Sequence, residues 1–227
     1  MSALKYANQL ANTSEGEVYM IHFPQADSIH SDTEQILSAI GLGDITSELM
    51  VAGFQHFLEG GIADASNATA KNVALMKKYG KDGLDISAHS RGSDTTGNAM
   101  QILLKDKKNI GVLSNTNIHY FGPADHAQDA ANQLDQLSNG RQNYVELQNH
   151  NVDVVGGGVL IGNNPATYGK IPDNSNAFKE TLNMLNIGSG DHDHTVHNCY
   201  GNIKDVKECK GFGTPQTLYI YSNRSKP

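Results

Sequence analysis

Long apolar runs are missing from this chain, and so are clustered basic residues and the cysteine pairs of a zinc site. No stretch approaches the roughly 18 apolar residues needed to span a bilayer. Met1–Glu17 has no apolar core behind a basic end, so a conventional signal peptide is not expected there. That leaves a cytoplasmic protein, or part of a larger one that carries its signal elsewhere. Lys and Arg number 17 against 24 Asp and Glu, a formal charge of −7. The densest basic run, Lys105–Lys108, reads as a solvated connection after a helix, so no nucleic-acid partner is expected. Cys199 and Cys209 are the only cysteines and form no C-x-x-C, which argues against a cysteine-type zinc site. Two free thiols in a reducing compartment and one disulfide in an oxidising one both stay open. Repeats, heptads, low-complexity blocks and linkers are absent as well. One domain over residues 1–227 is therefore expected, large enough for a substantial core.

What is present is an alternation of short apolar runs with longer amphipathic ones, punctuated by 23 glycines. This predicts an α/β fold with a mostly parallel central sheet and helices on both faces. Strands are expected at Glu17–Phe23, Gly83–Ser90, Arg141–Gln148 and, at an edge, Thr217–Ser222, with one or two more within Asn109–Gly122. Helices are expected at Ser31–Ile40, Ile45–Gly61, Ala65–Gly80, Ser93–Asp106, Ala124–Leu137 and near Ala177–Leu185. Beyond about Gly156 the periodicity fades into a loop-rich segment.

The run LDISAHSRGSDT, Leu84–Thr95, ends a strand in a serine and opens a helix. That is the context of a nucleophile elbow, in which Ser90 adopts a strained conformation that lifts its hydroxyl above the sheet edge. The residues two before and two after must be small; they are Ala88 and Gly92, giving A-x-S-x-G rather than G-x-S-x-G. The alternative is that Ser90 or Ser93 merely caps the helix. A nucleophilic serine needs a base and an acid to orient it. Asp153 lies just past an expected strand end, where loops carry function, and Asp125 and Asp129 compete less well. His192, His194 and His197 crowd six residues, and any of them could reach Ser90 from a loop. The same three histidines with Asp191 and Asp193 could instead hold a metal, close to the H-x-H-x-D-H of metallo-β-lactamase-like hydrolases, although Val196 stands where the aspartate belongs.

The runs Ser87–Met100, Asn117–Leu134, His150–Thr167 and His197–Gly201 together resemble the C-terminal α/β-hydrolase-like domains of large bacterial filamentous haemagglutinin and contact-dependent inhibition proteins. The likeness spans Gly16–Tyr200 in patches and is most specific in HSRG and FGPADHAQDAA. It implies Ser90 as nucleophile, Asp153 as acid and His197, in an H-x-x-Y pattern ending at Tyr200, as base, with His194 as the alternative base. The function implied is that of a lipase- or phospholipase-type antibacterial toxin domain, a serine hydrolase of carboxylic esters without a cofactor. Such a domain is secreted as part of a larger protein and delivered to a target bacterial cell, and a cognate immunity protein protects the producer. The oxyanion donors would be the N–H of Arg91 and that of Gln25 or Ala26, since Pro24 has none. The apolar stretch Ile45–Ala65 reads either as a core helix or as a lid making transient membrane contact. Two further readings stay open: a metal-dependent hydrolase or nuclease, and a non-catalytic binding module.

Overall fold

The computed structural model describes residues 16–21, 67–157, 162–184, 196–201 and 207–225. In chain order these form α1 (Asn67–Tyr79), β1 (Leu84–His89), α2 (Arg91–Leu104), β2 (Thr116–Phe121), α3 (Ala127–Ser138), β3 (Tyr144–Gln148), α4 (Val154–Gly157), α5 (Ala177–Met184) and β4 (Leu218–Tyr221). Short 3-10 turns cover Lys107–Asn109, Val196–Asn198, Lys207–Phe212 and Asn223–Ser225.

The strands lie in the order β1-β2-β3-β4. The pairs β1–β2 and β2–β3 are parallel, and β4 closes the edge antiparallel to β3. The class is therefore α/β with a mostly parallel sheet. Alternation along the strands decides which face is dry. Ala88, Ile118, Tyr120, Val145 and Leu147 point into one core with Met76 of α1, Met100 and Leu103 of α2, and Leu134 and Leu137 of α3. The opposite face is polar and partly solvated, and its side chains pair with one another. Asn117 Nδ2 donates to Asp85 Oδ1 at 2.7 Å, and His119 meets Glu146 at 3.0 Å.

Among the described residues, the helices that cover the sheet, α1, α2 and α3, share one core on one face. The topology explains this: right-handed crossovers that always step in the same direction lay each connecting helix on the same side. Only a reversal of strand order would place one on the other side. Glu17–Ile21 forms no strand, and Val18, Tyr19 and Met20 are exposed; Tyr19 instead packs its ring on Tyr79, 5.6 Å away. Within Asn109–Gly122 there is one strand, preceded by turns. The expected helices Ser31–Ile40 and Ile45–Gly61, and with them the lid or membrane-contact stretch, lie outside the described residues. The remaining elements fall within a few residues of their expected bounds. α2, however, begins at Arg91 instead of Ser93, immediately after the serine in question.

Because β1, β2 and β3 run parallel, Ser90, Gly122 and Asn149 all leave the same carboxyl edge of the sheet, where α/β sheets place their sites. A second, smaller core supports that edge: Ala124, Val152, Val155, Val196, Cys199, Cys209 and Phe212.

Candidate active site

Ser90 joins β1 to α2 with φ 50° and ψ −125°. Two other non-glycine residues among those described have positive φ, and both are asparagines, Asn139 and Asn163, which tolerate it. For a serine the conformation is costly, on the order of 1–3 kcal/mol, and persists only when its surroundings over-determine it. They do. Ser90 N–H donates to Phe121 O at 3.3 Å, while Ser90 O accepts from Ser93 N at 3.0 Å and Ala124 N at 3.2 Å. The Ser93 hydroxyl adds a further bond to Ser90 O, 2.6 Å, and itself accepts from Asp125 N at 3.0 Å. Ser90's own side chain makes no helix-capping hydrogen bond. The capping alternative therefore fails for Ser90; Ser93 is the serine that stitches the turn.

The elbow is compact at its flanks. A Cβ built on Gly92 would sit 4.0 Å from Ala88 Cβ, ordinary van der Waals contact. This shows why alanine serves at the first small position. The Arg91 amide is the first of the 14-residue α2, at the positive end of its dipole.

Asp153 immediately precedes α4, in the loop that follows β3, and is 1 % exposed. Its Oδ1 accepts from the N–H groups of Val155 (2.9 Å) and Gly156 (3.2 Å). Its Oδ2 lies 2.8 Å from His197 Nδ1, and the Tyr200 hydroxyl donates to the same oxygen. Burial alone would raise the pKa of this carboxyl. The neighbouring His197, the hydrogen bonds from His197 and Tyr200, and the Gly156 amide outweigh it and bring the pKa down to about 2. The carboxylate is thus held in its ionised form, and its hydrogen bond distinguishes the two histidine nitrogens: Nδ1 faces Asp153 and Nε2 is the nitrogen turned away from it. The His197 side chain is 12 % exposed and Asp153's is sealed.

The pair sits against the elbow. His89, the residue before Ser90, bonds through Nε2 to His197 O at 2.7 Å, and the two imidazoles lie 4.4 Å apart. Desolvation by the surrounding chain and, after it, the neighbouring His197 lower the pKa of His89, although the residue keeps part of its surface in solvent. Gly122, at the end of β2, has φ +48°; a Cβ there would lie 2.5 Å from Asp153 Oδ2 and 2.6 Å from the Tyr200 ring. Only glycine lets β2 end this close to the acid. Cys199 and Cys209 form a disulfide, Cα–Cα 5.4 Å, which ties the His197 segment to the Lys207–Phe212 turn.

Asp125 and Asp129 are placed elsewhere. Asp125 is buried and accepts from Tyr120 Oη at 2.8 Å beneath α2, while Asp129 lies on α3 opposite His126 at 3.3 Å. Gln25, Ala26, His192 and His194 lie outside the described residues, so the second oxyanion donor, the alternative base and the metal alternative are not placed. Among the described residues no group of three or more His, Cys, Asp or Glu side chains could hold a metal ion. Nor is any helix long and apolar enough to cross a membrane. A depression of about 650 Å³, lined by Leu104, Ile110, Asn139 and Arg224 among others, opens at the amino edge of the parallel strands, away from Ser90.

Sequence reasoning had no role for two residues of the site. Tyr200 carried a signal, since it stands three places after His197, but only the structure shows what the phenol binds. Gly122 could have been suspected as a glycine closing a strand that borders the elbow. Comparison with protein-family models, curated proteins and solved structures finds no match to this chain.

Proposed function

We propose that this chain is a serine hydrolase of carboxylic esters, with Ser90 as nucleophile, His197 as base and Asp153 as the acid that orients it. The observation that carries this reading is the convergence, at one sheet edge, of a strained serine turn and a buried carboxylate–imidazole pair. Strain of this kind and a carboxylate held below its ordinary range both concentrate at functional sites.

In this mechanism His197 Nε2 takes the Ser90 hydroxyl proton as Oγ forms a bond to the ester carbonyl carbon. The same proton passes to the leaving alcohol as the C–O bond breaks, and water repeats the sequence to free the acid. Asp153 holds the tautomer and balances the imidazolium. The Arg91 N–H and the α2 dipole would stabilise the oxyanion, with the second donor at Gln25 or Ala26. Removal of one such donor costs about 100- to 1,000-fold in rate.

We further propose a lipid ester as substrate and an antibacterial toxin, released from a larger secreted protein and restrained by an immunity protein, as the setting. Support for this comes from the resemblance of the sequence runs named above. The disulfide fits an oxidising compartment, and the charge of −7 suits a basic immunity partner.

The test is labelling by a fluorophosphonate probe of the wild type, Ser90→Ala and His197→Ala, with EDTA as a separate arm. The expected outcome is labelling that vanishes in Ser90→Ala, falls in His197→Ala and ignores EDTA, followed by release of fatty acid from phospholipid vesicles. A folded wild type that is not labelled would overturn the reading.

A further inference from the structure

The proposed mechanism makes no use of Tyr200, yet this is among the most constrained groups in the site. The residue is 4 % exposed. Its hydroxyl donates to Asp153 Oδ2 and accepts from His150 N–H at 3.1 Å. The backbone on either side is pinned, by the Cys199–Cys209 disulfide before it and by a bond from Gly201 N to Gln148 Oε1, 2.9 Å, after it. Gly122 leaves just enough room for the ring. So much anchoring around one phenol, at the oxygen that also holds the base, calls for a functional account.

A carboxylate offers about four acceptor positions on its two oxygens. At Asp153 four donors take them: the amides of Val155 and Gly156 on Oδ1, and His197 Nδ1 and the Tyr200 hydroxyl on Oδ2. Without the phenol, the His197 side of the group would have one partner and could swing. We propose that Tyr200 is a positioning residue for the base, a fourth member of a Ser90–His197–Asp153–Tyr200 relay. It fixes the plane of Asp153 and draws off part of the negative charge that Oδ2 presents to His197. This rests on the hydrolase reading given above.

The consequence for pH has a definite sign. A carboxylate that loses a donor holds protons more tightly, including the one it shares with the imidazole. Loss of the phenol O–H should therefore move the acid limb of the activity profile to higher pH. The titratable groups around Asp153 are His150 at the end of β3, Tyr168 from the following loop, His89 from β1, and His197 and Tyr200 themselves. Tyr168 and Tyr200 stand ring to ring at 6.2 Å, and His150 packs on Tyr168 at 4.7 Å. Apart from His197, only Tyr200 among these groups bonds to the carboxylate, and His150, Tyr168 and His89 do not, so loss of the phenol should act through residue 200 alone.

The experiment measures the rate of fluorophosphonate labelling of Ser90 against pH for the wild type, for Tyr200→Phe, and for a chain with a fluorotyrosine placed at 200. The last keeps the shape and makes the phenol a stronger donor. For Tyr200→Phe the maximal rate should fall about 10-fold or more, as misplacement of a reacting group predicts. The concentration giving half-maximal rate should hold, and the acid limb should move up. The fluorotyrosine chain should move that limb the other way. Should Tyr200→Phe fail to fold, the fluorotyrosine chain decides alone. Profiles that superimpose on the wild type after correction for the folded fraction would give Tyr200 a purely structural role and overturn the proposal. A folded wild type that takes no label at any pH sinks the hydrolase reading first, and this inference with it.

Discussion

Asp153 does two jobs with one side chain, and this couples the site to stability. Its Oδ1 ties down the first turn of α4 while its Oδ2 holds His197. The folded pKa, about 2, lies below the ordinary 3.8. A depressed carboxyl stabilises the fold fully at pH above its unfolded value, and that stabilisation is lost as pH falls through the folded one. A shift of this size is worth roughly 2 kcal/mol for a group so well buried. Asp153→Asn cannot titrate, so the stability gap between wild type and variant should be widest near pH 6 and narrow by about 2 kcal/mol toward pH 2. Urea unfolding across that range measures the gap, and one that stays constant would mean that the carboxylate is not ionised in the way its partners suggest. The same residue shows how far a sequence can speak of a site. Ser90 and Asp153 could be picked out because each follows a strand, and strand ends are legible. The Tyr200 bond to Asp153 spans 47 residues and depends on how two loops meet, which no local pattern encodes.

At the scale of elements, the turn Val196–Asn198 and the three residues after it bring both the His197 imidazole and the Tyr200 phenol to the Asp153 carboxylate. This segment has no regular structure long enough to hold itself. It is held by Val196 and Cys199 in the small core, by the backbone bond from Cys199 to Val196 at 2.8 Å, and by the disulfide. Cross-linking across a separation of 10 contributes roughly 2–3 kcal/mol in the chain-entropy view. Most of that constraint acts locally, since the sheet core of α1, α2, α3 and the strands shares no residue with the small core. Reduction by dithiothreitol, or Cys209→Ser, should therefore depress fluorophosphonate labelling more steeply than it depresses the helical circular-dichroism signal. Parallel loss of both signals would show instead that the disulfide supports the whole fold. The two cysteines illustrate a limit of another kind. Their spacing of ten permitted a bridge but could not choose it over free thiols, because the choice depends on where Phe212 and Val152 place the chain around them.

For the molecule as a whole, what could be read in the sequence was the local grammar. Short apolar runs gave the strands, longer amphipathic runs gave the helices, and the α/β class followed. The face on which a crossover helix lands is not legible locally, because it depends on strand order, and strand order is set by long-range pairing. The order β1-β2-β3-β4 separates two edges with different duties. The carboxyl edge carries the strained turn and the buried acid. The amino edge carries the depression of about 650 Å³, which includes Lys107, Asp135 and Arg224 and could be mistaken for a binding site. It contains no strained backbone serine, and its one wide-open apolar side chain, Ile110, is 42 % exposed. If catalysis belongs to the carboxyl edge, filling the depression should change little. Ile110→Arg should leave stability within about 0.5 kcal/mol, and the labelling rate of Ser90 within roughly twofold, the usual range for a surface change. Thermal unfolding and fluorophosphonate labelling, run together on the variant, test this directly. A large fall in labelling at unchanged stability would mean that the two edges are coupled, and that the depression, not the elbow alone, takes part in binding the ester.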